Sequence, residues 1–420
     1  MILFRLAYHS LKNRRFTTVL TMASIALSVS LLLGVEKIRA GARDSFNNTI
    51  SQTDLIVGPR TGPIQLLLYA VFHMGEATNN IGFESYRHFQ KHSSTEWTIP
   101  YSLGDSHRGY RVVATDENFY AHYHYRMDQG IHFREGKAAD DVFDVVLGSE
   151  VAEQLHYPLG QKLTLTHGMA QGGGLEHENR PFRVVGVLQK TATPIDRSLY
   201  ITLEGMEAIH MDWQSGAPPI PGQETPLSRM TKDKIKIGQI TAFLLRTKSR
   251  IQALYLQREI NEYAGEPLLA ILPGVALSQL WQGISYAEDG LRLVSAFVVV
   301  SGLLGMLIAL YTSLNERRRE MAILRAIGAR PSHVLALLVI ESSIITWLGA
   351  FSGTVIVYLV LWVARPLIEN EFGLYLPIHG LSQMEWIYLG VLCLLGPTIG
   401  LIPAWKAYRN ALADGLTIRV

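Results

Sequence analysis

The chain has 420 residues, of which 48% are hydrophobic and only 18% charged, below the roughly 25% charge of an ordinary globular protein. Net charge is +2, from 38 Lys+Arg against 36 Asp+Glu, so no basic excess argues for nucleic acid as a partner. A single cysteine, Cys393, leaves no intrachain disulfide and no Cys-based zinc cluster. Together these exclude a disordered chain and a disulfide-stapled mini-fold.

Four segments are long and apolar enough to cross a bilayer, which takes about 20 helical residues. The first runs from about Phe16 to Val35, and its Thr17, Thr18, Thr21, Ser24, Ser28 and Ser30 are tolerable because hydroxyls bond back to helix carbonyls. A signal peptide is the competing reading, because Lys12, Arg14 and Arg15 precede the segment. Against it, the apolar stretch is too long and runs into Glu36-Lys37-Ile38-Arg39 with no small-x-small site. The second segment is Leu291 to Leu314, the third about Val334 to Val363, and the fourth Trp386 to Trp405, interrupted by Pro397 and Pro403. Glu341 is the single ionisable residue of the third; a carboxylate there is a functional candidate, with interfacial placement or an arginine partner as the plainer reading.

Basic residues set the orientation. Lys12, Arg14 and Arg15 precede the first span, Arg317, Arg318, Arg319, Arg325 and Arg330 separate the second from the third, and Lys406 and Arg409 follow the fourth. Four crossings put all of these on one side, which is therefore cytoplasmic. The expected fold is a membrane protein of four transmembrane α-helices with a large mixed α/β periplasmic domain inserted between helices 1 and 2. Its expected parts are residues 1–39 (amphipathic segment and first span), 40–285 (external domain) and 286–420 (remaining spans, with a cytoplasmic loop at 315–333).

Within the external part, Asp144–Gly148 reads as a buried strand, with Ser149 as N-cap of a helix Glu150–Leu155. Lys162–Thr166, Phe182–Val187 and Ser198–Thr202 read as strands, Leu203–His210 and Arg250–Tyr263 as helices, and Ser215–Thr225 as a Gly/Pro-rich loop. Tyr286 to Arg292 is the expected entry into the second span. Eleven of the 14 histidines fall between residues 40 and 285. His122 and His124 flank Tyr123 and would share one face of a strand, and His167 and His177 bracket the glycine-rich stretch 168–174. A transition-metal site is the sharp reading, with His122 and His124 as its best pair; scattered surface histidines without ligand spacing are the bland one. The glycine stretch lacks the Gly-Lys-Ser/Thr ending of a phosphate cradle, and the sequence contains no Walker A pattern, no His-Glu-x-x-His and no nucleophile–base pairing.

The loop between the second and third spans is the most informative segment. Glu316, Arg317, Glu320, Met321, Leu324, Arg325, Ala326, Ile327, Gly328 and Ala329 spell a charged turn, a short amphipathic helix and a helix stop, with Pro331 opening the next helix. This is a docking surface for a cytoplasmic partner. The pattern closely resembles the loop of the FtsX/MacB superfamily (type VII) of ABC-transporter permeases. The segment Leu11–Thr21 resembles that family's lead-in, Pro403-Ala-Trp-Lys-Ala-Tyr-Arg409 its ending, and Val145–Leu165 with Arg183–Leu203, including Thr193-Pro-Ile-Asp-Arg197, its MacB-like periplasmic core domain.

The resemblance implies a multi-pass protein of the bacterial inner (cell) membrane with both termini cytoplasmic. It implies no enzyme activity and no cofactor in this chain, ATP and Mg belonging to a separate cytoplasmic ABC ATPase subunit that docks on Glu316, Arg317, Glu320, Met321, Leu324, Arg325 and Gly328. It further implies pairing as a homodimer or with a related permease, a periplasmic adaptor or lipoprotein as further partner, contact with membrane lipid, and no nucleic acid. ATP-driven closure of the dimer would pass through the first two spans to the external domain, to export or extract a substrate. The competing expectations are an FtsX-like signalling subunit that regulates periplasmic partners, and a metal-linked transport system.

Overall fold

The computed structural model describes residues 2–75, 77–126, 128–168, 177, 179–213, 225–316, 323, 326, 328–372, 378 and 380–413. These form two compact units: one comprises residues 1–41, 285–367 and 376–420, the other 42–284 and 368–375.

The first unit is helical. A twelve-residue helix, Ile2–Asn13, precedes four helices long and apolar enough to span a bilayer: Arg15–Thr49, Pro273–Leu314, Pro331–Ile368 and Gln383–Lys406. Each apolar run read from the sequence lies inside one of these helices. The helices outrun the apolar runs, however: the first continues to Thr49 and the second begins at Pro273, well before Tyr286. The second runs on to Glu316, and at 1.5 Å per residue its 44 residues are about 66 Å long, twice the thickness of a hydrocarbon core.

Hydrocarbon offers no hydrophobic drive for helix association, so small residues and short polar bonds hold the spans together. Ser30 donates to the Gly353 carbonyl at 3.0 Å, and Ser28 to that of Val298 at 3.1 Å. Thr21 and Ser28 also bond back to the carbonyls of Thr17 and Ser24, at 2.8 and 2.9 Å, which is how the first span tolerates its hydroxyls. Gly353 lets the first and third helices meet: a Cβ there would stand 2.6 Å from the Ala26 carbonyl oxygen. At Gly396 a Cβ would overlap the Thr346 side chain, joining the third and fourth helices.

The second unit is mixed α/β. Its main sheet runs in the order Leu268–Ile271, Leu55–Pro59, Ala242–Thr247, Thr95–His107, Tyr110–Thr115, Ser198–Thr202, Asp144–Leu147, Phe182–Leu188 and Phe133–Gly136. Two neighbour pairs are parallel, Tyr110–Thr115 with Ser198–Thr202 and Asp144–Leu147 with Phe182–Leu188; the other neighbours run antiparallel. The two strands at one margin belong to the long helices. Leu55–Pro59 follows the helix ending at Thr49, and Leu268–Ile271 leads into the helix starting at Pro273.

Both faces of the sheet are buried. Leu55, Val57, Val112, Ala114, Val145, Leu147, Leu199, Ile201, Phe243 and Leu245 join one core, whereas the intervening Ile56, Val113, Val146, Tyr200 and Leu244 join another. This is the period-two alternation of a strand with apolar residues in both phases. Tyr86, Phe89, Val151, Met206, Ile209, Leu256 and Ile260, all on helices, complete the first core; Leu66, Leu67, Tyr69 and Phe119 contribute to the second.

Some local readings change. Ser149 is not the N-cap; Gly148 takes that place and Ser149 is the first helical residue. A Cβ at Gly148 would collide with the Ile195 and Asp196 carbonyls, so only glycine fits between that helix start and the turn at residues 194–197. Lys162–Thr166 breaks into two short strands, Lys162–Leu163 and Thr166–His167. The loop expected at Ser215–Thr225 lies outside the described residues except for Thr225.

Asp196 anchors that turn. Its buried carboxylate accepts from the Thr191 and Ala192 backbone N–H groups at 2.8 and 2.6 Å and from the Thr191 hydroxyl at 2.8 Å. Asp196→Ala should therefore destabilise the domain by about 3 kcal/mol or more, because two buried N–H donors lose their acceptor; limited proteolysis across a urea series measures it. Gly396→Val should cost about 1–3 kcal/mol by overpacking the third and fourth helices, read as a lower midpoint of thermal unfolding in detergent.

Candidate functional site

Three places in the chain combine charge or ligating groups in a way that packing alone does not require. The first is at one end of the spans. Arg39, one turn beyond the first apolar run, pairs with Glu36 on its own helix and donates to Glu288 on the second long helix at 3.0 Å. Arg292 stands 3.8 Å from Glu36 and 3.2 Å from Asp289. Lys37 binds Glu385 of the fourth helix at 3.0 Å and the Gly380 carbonyl at 2.7 Å. Glu385 is fixed in turn by a capping box: the Ser382 N–H donates to its carboxylate at 2.7 Å, and its own N–H donates to the Ser382 hydroxyl at 3.3 Å. Side chains of Glu36, Glu288 and Glu385 are 9%, 13% and 2% exposed, so these pairs are screened far less than surface ones.

At the opposite end, Arg14 donates to the Ser313 carbonyl at 3.1 Å, tying the start of the first long helix to the end of the second. Arg14 and Glu341 line one cavity of about 30 Å³ with Thr17, Thr21 and Ser313, room for about a single water. Glu341 is buried and lines the same cavity as Arg14.

The second place is the loop from 315 to 333. Glu316 is the last residue of the second long helix. Arg317, Glu320, Met321, Leu324 and Arg325 lie outside the described residues. Gly328 has φ +97°, the left-handed region in which glycine ends helices without strain. The Arg330 N–H donates to Nδ1 of His333 at 3.0 Å, and the third long helix begins at Pro331.

The third place is in the α/β unit, where Asp105, His167, His177 and His210 offer four ligating atoms within 4.8 Å of one another. A β-bulge between Leu103 and Ser106, in the strand Thr95–His107, re-aims Asp105. His167 stands directly opposite Asp105 in the antiparallel pair made by Thr166–His167, and His210 is the last residue of the helix Leu203–His210. His167 Nδ1 and His210 Nε2 lie 3.4 and 3.5 Å from Asp105 Oδ1, His177 Nε2 lies 3.6 Å from Oδ2, and His167 Nδ1 is 3.1 Å from His210 Nε2. Trp213 closes one side, its ring centroid 5.2 Å from that of His167 and 4.5 Å from that of His177. Arg180 holds the neighbouring chain by a 2.6 Å bond to Asp212.

Asp105 is fully buried, yet neither carboxylate oxygen has a hydrogen-bond partner among the described residues, and the same is true of both His177 ring nitrogens. Burial alone would raise the Asp105 carboxyl, but the imidazoles of His167, His210 and His177 outweigh it and hold the group at about 2. Burial pushes His177 down to about 4 despite the pull of Asp105, leaving a neutral imidazole with a free lone pair.

The other histidine pair stands apart. His122 ends the helix Glu117–His122 rather than lying on a strand, so it does not share a strand face with His124. Its ring stacks on Trp97 with centroids 5.5 Å apart, and His124 Nδ1 lies 2.8 Å from the His122 carbonyl oxygen. Asp105 and His210 carried no sequence signal, being separated from His167 by long stretches that only the fold brings together.

Arg39→Ala leaves Glu36 and Glu288 as largely buried carboxylates without their shared partner, Glu36 keeping only Arg292 at 3.8 Å. We expect a loss of about 2–4 kcal/mol, between exposed and buried pairs, with Arg39→Lys recovering part of it; thermal unfolding of the purified chain in detergent distinguishes the two variants.

Residues 18–254 match the MacB-like periplasmic core domain family, and residues 292–413 match the FtsX-like permease C-terminal family. The chain is 23% identical over 412 residues to the macrolide export ATP-binding/permease protein MacB of Wolinella succinogenes, covering 96% of this chain and 59% of that protein. It is also 23% identical over 428 residues to the pyoverdine export ATP-binding/permease protein PvdT of Pseudomonas syringae pv. syringae, covering 98% of this chain and 59% of the relative. An uncharacterised ABC transporter permease of Methanocaldococcus jannaschii is 20% identical over 413 residues, with 95% and 93% covered. The chain thus spans about three fifths of the two export proteins it matches. Among solved structures, the periplasmic region of MacB from Actinobacillus actinomycetemcomitans overlays with a TM-score of 0.34 at 13% identity, covering 55% of this chain and 94% of that one.

Proposed function

The chain belongs to the ABC-transporter permeases that combine a MacB-like periplasmic core domain with an FtsX-like C-terminal region, and on that premise we propose that it is a mechanical transmitter. In this reading it spans a bacterial inner membrane with both termini in the cytoplasm, and its α/β unit lies on the periplasmic side. A cytoplasmic ABC ATPase subunit, holding ATP and Mg, docks on Glu316, Arg317, Glu320, Met321, Leu324, Arg325 and Gly328. Two permease copies, or this chain and a related one, close together when the ATPase closes. The first two long helices carry that motion to the α/β unit, which exports or extracts a substrate; export is the task for which the macrolide and pyoverdine relatives are named.

The observation that carries this reading is the pair of helices itself. Arg15–Thr49 and Pro273–Glu316 are each unbroken and longer than a membrane requires, and the Arg39–Glu288 bond ties them where they leave the apolar zone. Tied rods transmit displacement, whereas separate helices on loops would absorb it. Mixed charge at the outer ends, Glu36 and Glu288 included, and arginines in the 315–333 loop fit the cytoplasmic placement of that loop.

Gly328→Pro tests the docking segment, because proline cannot adopt φ +97° and the helix stop would be lost. The variant should insert into the membrane normally, yet lower ATP hydrolysis by the co-purifying ATPase subunit, or its recovery with the chain, by at least tenfold. Undiminished hydrolysis and recovery would remove the assignment. If hydrolysis persists in the wild type with no substrate moved while a periplasmic partner is activated, the signalling reading replaces export.

A further inference from the structure

The geometry points to a zinc site built from Asp105, His167, His177 and His210, a function separate from the docking of an ATPase. A carboxylate removed from water costs several kcal/mol unless it is paired or coordinated. Asp105 has 0% of its side chain exposed and accepts no hydrogen bond from the described residues; instead three imidazoles turn ring nitrogens toward it at 3.4–3.6 Å. Those separations are too long for good hydrogen bonds, and all four ligating atoms lie within 4.8 Å of one another, close enough to contract onto one shared ion. Ligand atoms around tetrahedral zinc at about 2.0–2.1 Å stand about 3.3–3.4 Å apart.

The chemistry of the donors selects the ion. Three imidazole nitrogens and one carboxylate oxygen suit zinc, and to a lesser degree copper or nickel, while magnesium and calcium need oxygen-rich sets. His210 is oriented for ligation by a backbone bond: its Nδ1 lies 2.9 Å from the Met206 carbonyl oxygen, which keeps the proton on Nδ1 and the lone pair on Nε2. Both His177 ring nitrogens are unbonded among the described residues, so the ring has a nitrogen to offer an ion. The net charge of a filled site is +1, from the ion's two charges and one carboxylate, so the buried Asp105 charge is more than compensated. Four protein ligands leave no open position for water, so the ion is not set up for hydrolysis.

What it does instead follows from the parentage of the ligands. Asp105 comes from the long central strand, His167 from the short strand paired to it, His177 from the segment bonded to Leu165, and His210 from a helix end. One ion therefore fastens four segments, and because 45% of the His167 side chain is exposed it can enter and leave from solvent. The α/β unit would thus stiffen in response to zinc.

The test is zinc titration of the full chain in detergent after chelator treatment, read by metal content and by the visible spectrum with cobalt as substitute. We expect one zinc per chain, tetrahedral cobalt bands, and a rise in thermal midpoint on adding zinc. His167→Ala with His210→Ala, both partly exposed positions, should weaken zinc binding at least tenfold while retaining the wild-type circular dichroism. Asp105→Asn should likewise lose the cobalt bands. His122→Ala with His124→Ala should bind as the wild type does. No bound zinc in the wild type, octahedral cobalt only, undiminished binding in the His167/His210 variant, or loss in the His122/His124 variant would each overturn the assignment.

Discussion

Hydrocarbon excludes charge, and the arrangement of the spans follows from that single constraint. Along their apolar lengths the helices touch through Gly353, Gly396, Ser28 and Ser30, residues small enough for backbones to approach or able to bond locally. The charged side chains are pushed to the two ends, where water and headgroups begin. There the sequence places oppositely charged partners on neighbouring helices: Arg39 with Glu288, Lys37 with Glu385, and Arg14 with a carbonyl of the second helix. The middle of the bundle is thus held by close backbone approach, while its ends are pinned by bonds that are directional and only partly screened.

The α/β unit solves the opposite problem, since its strands must be covered on both faces by the same chain. Tyr200 and Phe119 stack with centroids 4.6 Å apart on one side, while Phe243 meets Tyr86 at 5.2 Å on the other. Placing a carboxylate within such a dry fabric is unfavourable by itself, which is why Asp105 and Asp196 stand out. Asp196 is satisfied by backbone donors. Asp105 is faced by imidazoles alone among the described residues, a difference that separates a structural turn from a ligand site.

Much of this was legible in the residues, and the exceptions have physical reasons. The four spans announce themselves because no soluble helix tolerates such long uncharged runs. Asp144–Leu147, Phe182–Leu188 and Ser198–Thr202 were readable because they are short, β-branched and apolar. Thr95–His107 was not, because Pro100, Gly104 and Asp105 interrupt any simple period, and its identity comes from the partners on either side. Helix extensions beyond the spans were missed because residues 36–49 and 273–285 carry polar and charged side chains that end the apolar runs without ending the helices. Two of the clustered imidazoles, His167 and His177, were marked by their flanking of a glycine stretch, whereas the pairing of His122 with His124 assumed a strand where a helix ends. Ligands assembled from four separate segments leave no spacing to read.

The pairing of the two strands at one margin of the sheet has a mechanical corollary. Leu55–Pro59 and Leu268–Ile271 lie side by side in antiparallel register, Ile56 opposite Ile271 and Pro59 opposite Leu268, with Arg60 N–H bonded to the Pro267 carbonyl beyond them. Sliding one strand along the other would have to shear that ladder, breaking several bonds at once. The seam thus resists shear along its two strands, so the edge of the sheet stays paired under load.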